Sequence, residues 1–280
     1  SMIPPSILLL LYGIFAELPI GKLFIAGVLP GVLTALMFSI MIVARVSVSP
    51  DLAPRATLEA PWSERFLALW ETWPVLMLIV GVFGGLFAGA FTPTEAGAVG
   101  ASLAFLVAAL RGTLSFAMAR QAFRETLDST AAIFVIAIGA NLLTRFLGLS
   151  GFTDSMADWV SGVGEWQLIL GVTLVYLFLG MFLDSVGIML LTLPIFLPLV
   201  EEVGIDLIWF GILITKLLEI GLITPPVGLN VFVIKGVVGD LIRTETIFKG
   251  ITWFLVVDLL TLTLLVLFPE ISLWLPEFLG

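Results

Sequence analysis

Long apolar runs alternate along the chain with short segments rich in proline, arginine or acidic residues. A helix needs about 20 apolar residues to cross the hydrocarbon core of a bilayer, and several runs approach or reach that length. Ile3 to Phe15 is apolar but short for a span, and it opens on Ile3-Pro4-Pro5-Ser6. A turn at Glu17 to Gly21 leads to a span over Leu23 to Val43. Arg45 to Trp70 reads as a polar loop with a short surface helix from Pro61. Pro74 to Gly89 is the next span. Thr92, Pro93 and Glu95 then stand at the N-cap, N1 and N3 positions of a helix, the capping-box arrangement. Ala96 to Leu110 follows as a fourth span. Arg111 to Asp128 is basic and amphipathic, which predicts a helix lying in the interface before a fifth span over Ser129 to Leu147. Phe152 to Glu165 is an acidic surface segment. The last span, Ile251 to Phe268, ends in a tail without a basic residue.

Two stretches break this pattern. Gln167 to Val200 is apolar except at Asp184-Ser185, too short for two full spans and a turn but long for one. It predicts a re-entrant hairpin whose tip is Asp184-Ser185-Val186-Gly187. Glu219 to Asn230 has apolar sequence on both sides, yet Pro225 and Pro226 remove two amide donors and push the residues before them out of the α region. Gly221 and Gly228 loosen the backbone on either side. Two readings are open here: a proline kink, or broken backbone lining a polar cavity, with carbonyls that suit a hard cation and a half-helix N-terminus that suits an anion.

Topology decides how the hairpin is read. With the Arg45 to Arg65 loop in the cytoplasm, Lys235, Arg243 and Lys249 also fall there only if Gln167 to Val200 returns to its own side. Ile3-Pro4-Pro5-Ser6 then runs outward and Thr224-Pro225-Pro226-Val227 inward. Each is followed by a half-helix, a polar turn, a glycine turn (Phe24 to Gly27, Phe248 to Gly250) and another span. Paired broken segments of opposite direction are the pattern of an inverted-repeat secondary transporter.

Composition narrows the class. The chain is 60% hydrophobic and 12% charged, with mean hydropathy +1.20, which defines an all-α polytopic membrane protein whose first partner is the lipid bilayer. No basic patch offers itself to nucleic acid. The sequence holds no cysteine and no histidine, so disulfides, thiolate chemistry and the usual proton relay are excluded. No nucleophile and base pair is visible, and no enzymatic activity is expected. Asp184 is an acid at membrane depth, functional by default, with a helix-end cap as the alternative. Asn230 either holds a substrate or hydrogen-bonds a neighbouring helix. Arg145 and Asp258 read as structural.

Several longer motifs carry a resemblance. Phe91-Thr-Pro-Thr-Glu-Ala, Gly180-Met-Phe-Leu-Asp, Leu193-Pro-Ile-Phe-Leu-Pro and Glu219-Ile-Gly-Leu-Ile-Thr-Pro-Pro-Val-Gly-Leu-Asn resemble the large membrane subunit of TRAP transporters, the tripartite ATP-independent periplasmic transporters. The resemblance covers essentially the whole chain and implies roughly the C-terminal two-thirds of such a subunit, with an N-terminal half expected as a further partner. It implies a multi-pass protein of a bacterial or archaeal inner membrane that takes up an organic acid by an elevator movement. Sodium is the coupling ion and no cofactor is needed. A periplasmic binding protein delivers the acid, and a small membrane subunit braces the scaffold. Residues 1–22 would be a broken helix of the first repeat and 23–147 scaffold and arm helices. Residues 148–240 would be transport domain, with the hairpin at 167–200 and the broken helix at 205–238, and 241–280 the last scaffold helix and tail. By motif, one sodium site lies between Asp184, Ser185 and Gly187 of the tip and Gly221, Thr224, Pro225 and Gly228 of the break, with Asn230 near the substrate. Pro4 and Ser6 would supply half of a second site. Lys216 departs from the family pattern, and Glu219 and Asp184 are its candidate partners. The alternatives are a stand-alone sodium/dicarboxylate or ion carrier of related fold, or an inactive fragment that needs its N-terminal half.

Overall fold

A computed structural model describes residues 2–4, 6–53, 61–151 and 162–279. Every regular element among them is helical: α1 (Ile7–Phe15), α2 (Ile20–Val48), α3 (Trp62–Glu71), α4 (Trp73–Phe87), α5 (Pro93–Leu110), α6 (Phe116–Leu149), α7 (Glu165–Gly180), α8 (Ser185–Val203), α9 (Leu207–Ile223), α10 (Leu229–Val238), α11 (Thr244–Leu267) and α12 (Glu270–Leu279). Four of these, α2, α6, α8 and α11, are long and apolar enough by themselves to cross a membrane. The chain divides into two compact units, residues 1–48 with 132–280, and residues 49–131.

In the smaller unit α4 packs on α5. The helix start read from Thr92-Pro93-Thr94-Glu95 is present in full. The Glu95 amide donates to Thr92 Oγ1 (3.3 Å) and the Thr92 amide to Glu95 Oε2 (2.7 Å), so two amides that the helix leaves unpaired are satisfied reciprocally. The surface helix expected from Pro61 is α3.

The larger unit is built around α9. From Trp209 to Leu218 every residue is buried, as expected of a helix that is apolar on all sides. It packs against α1, α2, α7, α8, α10, α11 and α12. Three polar ties pin it in place. Asp206 caps its first turn by accepting from the Trp209 amide at 2.8 Å. The Tyr12 hydroxyl of α1 donates to Leu207 O at 2.7 Å, and the Trp209 indole donates to Leu265 O of α11 at 2.8 Å.

α7 and α8 fold back on each other about a turn at 181–184. Tyr176 Oη and Thr192 Oγ1 lie 2.5 Å apart across the pair, and the Tyr176 and Phe196 ring centroids are 5.9 Å apart. The 16 residues of α7 reach about 24 Å, short of a hydrocarbon core of about 30 Å. α7 and α8 thus form a hairpin, but its turn lies at 181–184 and not at 184–187, because Asp184 caps α8 and Ser185 to Gly187 already form its first turn.

Several expectations need correction. The turn after α1 ends by Pro19 rather than Gly21, because Glu17 takes the left-handed conformation (φ 53°) and α2 starts at Ile20. The stretches Phe24 to Gly27 and Phe248 to Gly250 are not turns but lie inside α2 and α11. The glycines of α2 serve close approach instead: a Cβ on Gly27 would stand 2.4 Å from Met2 O, and one on Gly31 2.4 Å from Ile3 Cγ1. The interfacial helix and fifth span are one helix, α6, of 34 residues, because no glycine or proline stands between Phe116 and Ile138 to end it. The segment from Phe152 lies outside the described residues as far as 161. The expected tail is a helix, α12, whose Ser272 and Pro276 are buried and which packs on α2 and α9.

A close backbone-to-backbone crossing joins α7 to α9. A Cβ built on Gly180 would lie 2.6 Å from Gly221 Cα, and the reverse distance is the same. Gly221→Ala is expected to destabilise by about 1–3 kcal/mol through overpacking against backbone that has no rotamer to move. Gly171→Ala on α7, where nothing lies within 4 Å of the added Cβ, should be neutral or stabilising by about 0.5–1 kcal/mol. Thermal unfolding in detergent, followed by tryptophan fluorescence, checks the pair, and equal midpoints for both variants would refute the crossing.

Candidate functional site: a helix break beside a hairpin tip

The Gly180–Gly221 crossing positions the site. The hairpin tip begins one residue after Gly180, and the break of the second helix begins three residues after Gly221. Both therefore leave the same backbone contact. Gly221 itself is helical, so its role is close packing and not the loosened backbone expected of it.

The break runs from Thr224 to Gly228, between α9 and α10. The Thr224 amide donates to Gly221 O at 3.0 Å and its hydroxyl to Ile220 O at 2.6 Å. A helix leaves its last four carbonyls without intrahelical partners. Thr224 occupies two of them, and the carbonyls of Leu222 and Ile223 remain at the break. Pro225 is exposed, and Gly228 turns the chain into α10 at φ 59°. A side chain there is disfavoured by that φ and by Val231 Cγ2, 3.2 Å from the added Cβ. Asn230 stands in the first turn of α10, where the dipole presents partial positive charge.

At the tip Asp184 is the N-cap of α8, its Oδ1 accepting from the Gly187 amide at 3.0 Å. The structural alternative raised for Asp184 is therefore real, and it uses one carboxylate oxygen. Gly187 makes room: a Cβ there would lie 2.7 Å from Asp184 Oδ2. Ser185 is buried, and its Oγ has no hydrogen-bond partner among the described residues. An unpaired buried hydroxyl costs about 1–3 kcal/mol, so it asks for an explanation. Ser6 caps α1 in the same manner as Asp184 caps α8, accepting from the Leu9 amide at 3.3 Å, with Pro4 buried beside it. Ile3, shortly before α1, lines one cavity with Asn230 of α10.

That cavity, of about 600 Å3, also borders Thr34, Lys216, Glu219 and Asp258. Lys216 is 1% exposed, and its Nζ lies 2.5 Å from Asp258 Oδ1 and 3.9 Å from Glu219 Oε2. It also donates to Thr34 Oγ1 at 3.3 Å, and it stands 5.8 Å from the Phe38 ring centroid. The two partners weighed from sequence were Glu219 and Asp184. Asp258 of α11 is the close partner, Glu219 the distant one, and Asp184 is engaged at the tip. Spacing along one helix reveals Glu219 at i+3; nothing in the sequence aligns Lys216 with an acid 42 residues later. Among the described residues no group of three or more acidic side chains is disposed to hold a metal.

A hairpin, a helix interrupted near it and a cavity that holds a buried ion pair among apolar spans define a polytopic helical membrane protein. Within that class the chain belongs to the DctM component of the tripartite ATP-independent periplasmic transporters, whose family matches residues 1–271. It is 39% identical over 284 residues to the large permease protein of a C4-dicarboxylate TRAP transporter from Pseudomonas aeruginosa, covering 100% of this chain and 65% of that protein. It is 33% identical over 283 residues to the large permease protein of a sialic acid TRAP transporter from Vibrio cholerae, again over 100% and 65%. Against the C4-dicarboxylate large permease of Rhodobacter capsulatus it is 33% identical over 298 residues, covering 100% and 66%. The chain thus spans about 65% of the length of these relatives. It is a multi-pass inner-membrane protein of a permease family.

Removing one partner of a buried ion pair leaves an uncompensated charge, whereas replacing both with apolar groups is close to neutral. Lys216→Met is therefore expected to cost about 3–5 kcal/mol, and Lys216→Met with Asp258→Leu to recover most of it. Thermal midpoints of the single and double variants test this; a double variant less stable than the single would show that the site needs charge.

Proposed function

We propose that this chain forms part of the large permease of a sodium-driven TRAP transporter that imports an organic acid. A periplasmic binding protein hands over the acid, a small membrane subunit braces the assembly, and further sequence of the same permease completes the transport domain. Residues 1–22 and 148–240 move as transport domain, in the manner of an elevator, against scaffold and arm helices at 23–147 and 241–280. The hairpin is re-entrant, and the two breaks at Pro4 to Ser6 and Thr224 to Gly228 belong to inverted repeats. The acids named for the relatives, a C4-dicarboxylate and a sialic acid, support a carboxylate as cargo.

The observation that carries the reading is the unpartnered, buried Ser185 hydroxyl at the tip, on a hairpin locked to the break by the Gly180–Gly221 crossing. Sodium favours oxygen ligands. The hydroxyl of Ser185, the second oxygen of Asp184 and the carbonyls at the end of α9 are all oxygen, and the sequence offers no imidazole or thiolate to compete. A carboxylate at the tip attracts the cation and repels an anionic acid until the cation is bound, which makes sodium bind first.

Asp184→Asn keeps an N-cap, since asparagine caps as well as aspartate, but removes the charge. Ser185→Ala removes only the unpartnered oxygen. In proteoliposomes holding the complete transporter, both variants are expected to insert normally and to shift the sodium dependence of uptake at least about tenfold upward. Solute affinity at saturating sodium should change far less. Unchanged sodium curves for both would reduce the tip to a helix cap and leave the sodium reading without support.

A further inference from the structure

Lys216 lies between two carboxylates carried by different helices. Its Nζ is 2.5 Å from Asp258 Oδ1 on α11 and 3.9 Å from Glu219 Oε2, one turn further along its own α9. All three side chains border the same cavity, so open space adjoins the pair. A buried ion pair adds little net stability, because desolvation of both charges offsets their attraction, while a lone buried charge is costly. That cost would oppose any displacement of α9 along α11 that parted Lys216 from Asp258, unless a second carboxylate travelled with the lysine. Glu219 does travel with it, and closing its distance to a hydrogen bond takes about an ångström.

We propose that Lys216 is an ion-pair switch: it holds Asp258 of α11 in the arrangement seen here and passes to Glu219 when α9 slides past α11. The inference rests on the reading above that the helix carrying the break moves against the last scaffold helix, and it identifies the contact that resists and then permits that movement. Lysine suits the task. Its ammonium is a compact charge with three rotatable donors on a flexible stem, whereas an arginine fork would grip one carboxylate bidentately. Lys216 and Glu219 act here as positioning residues, through the helix that bears the break.

The test uses the complete transporter in proteoliposomes. Glu219→Gln leaves the Lys216–Asp258 pair intact but removes the travelling charge. Turnover of sodium-driven uptake should fall about tenfold, with the KM for solute and the thermal midpoint unchanged. In the Lys216→Met/Asp258→Leu background no ammonium needs a partner, and the same change should alter turnover less than about twofold. Equal slowing in both backgrounds, or none in the wild type, overturns the switch. Should the double variant fail to insert, Lys216→Arg decides: slowed turnover at an unchanged midpoint supports the proposal, and unchanged turnover overturns it. A wild-type complex that moves no solute removes the transport reading and the switch with it. A transporting complex with the wrong pattern of variants removes the switch alone.

Discussion

A helix that ends among apolar neighbours must give its unpaired amides or carbonyls to some polar partner, and the larger unit is shaped by that requirement. α1 ends on Ser6, α8 on Asp184 and α9 at its start on Asp206, each through a side-chain oxygen that accepts an amide of the first turn. The far end of α9 closes on Thr224, which returns both its amide and its hydroxyl to the last turn. Residues that sequence marks as ligands are thus first of all caps. The two roles are compatible where a cap uses one oxygen of two, as at Asp184, and they compete where a hydroxyl is already committed, as at Thr224.

Capping alone does not shield the backbone between two half-helices; something must cover it at short range. Glycine supplies the range. The Gly180–Gly221 contact brings two main chains together at a distance no side chain would allow, and Gly27 and Gly31 let residues 2 and 3 lie directly on α2. Small residues at helix interfaces are the general device of membrane packing, since apolar side chains gain little by leaving lipid. Here the device serves a narrower end, because each crossing abuts a place where the helical ladder stops. The burial of α9 from Trp209 to Leu218 and the close cover at its end are two outcomes of one packing arrangement.

Much of this was legible in the sequence because it is local. Thr92 to Glu95 encodes its capping box within four residues, Pro225-Pro226 stops a helix wherever it stands, and Asp184 interrupts an otherwise apolar run. The fold-back near Asp184 followed from the one polar pair in a long apolar run. What escaped was contact between distant segments. Gly221 reads in the sequence as loosening the chain and Gly27 as part of a turn, since a glycine in a sequence does not say whether it serves φ or proximity. α12 escaped although Pro269 only precedes the helix and Pro276 is buried within it. α6 was divided in two where charge gave way to apolar residues, a change of surroundings and not of backbone.

The partner of Lys216 shows the limit most clearly. Reading along one helix finds Glu219, which is close enough to matter and too far to hydrogen-bond. Asp258, set aside as structural in a distant span, is the group that compensates the charge. Both judgements were sound on local grounds, and the protein uses both acids at once. An ammonium with one partner on its own helix and one across the interface is bound to the pair of helices in a way that an apolar contact is not. Apolar contacts weaken smoothly as surfaces slide, whereas a buried charge must be compensated at each position it occupies. A charge pair of this kind therefore favours a few registers between α9 and α11 over a continuum of them, and discrete registers are what the proposed movement of α9 requires.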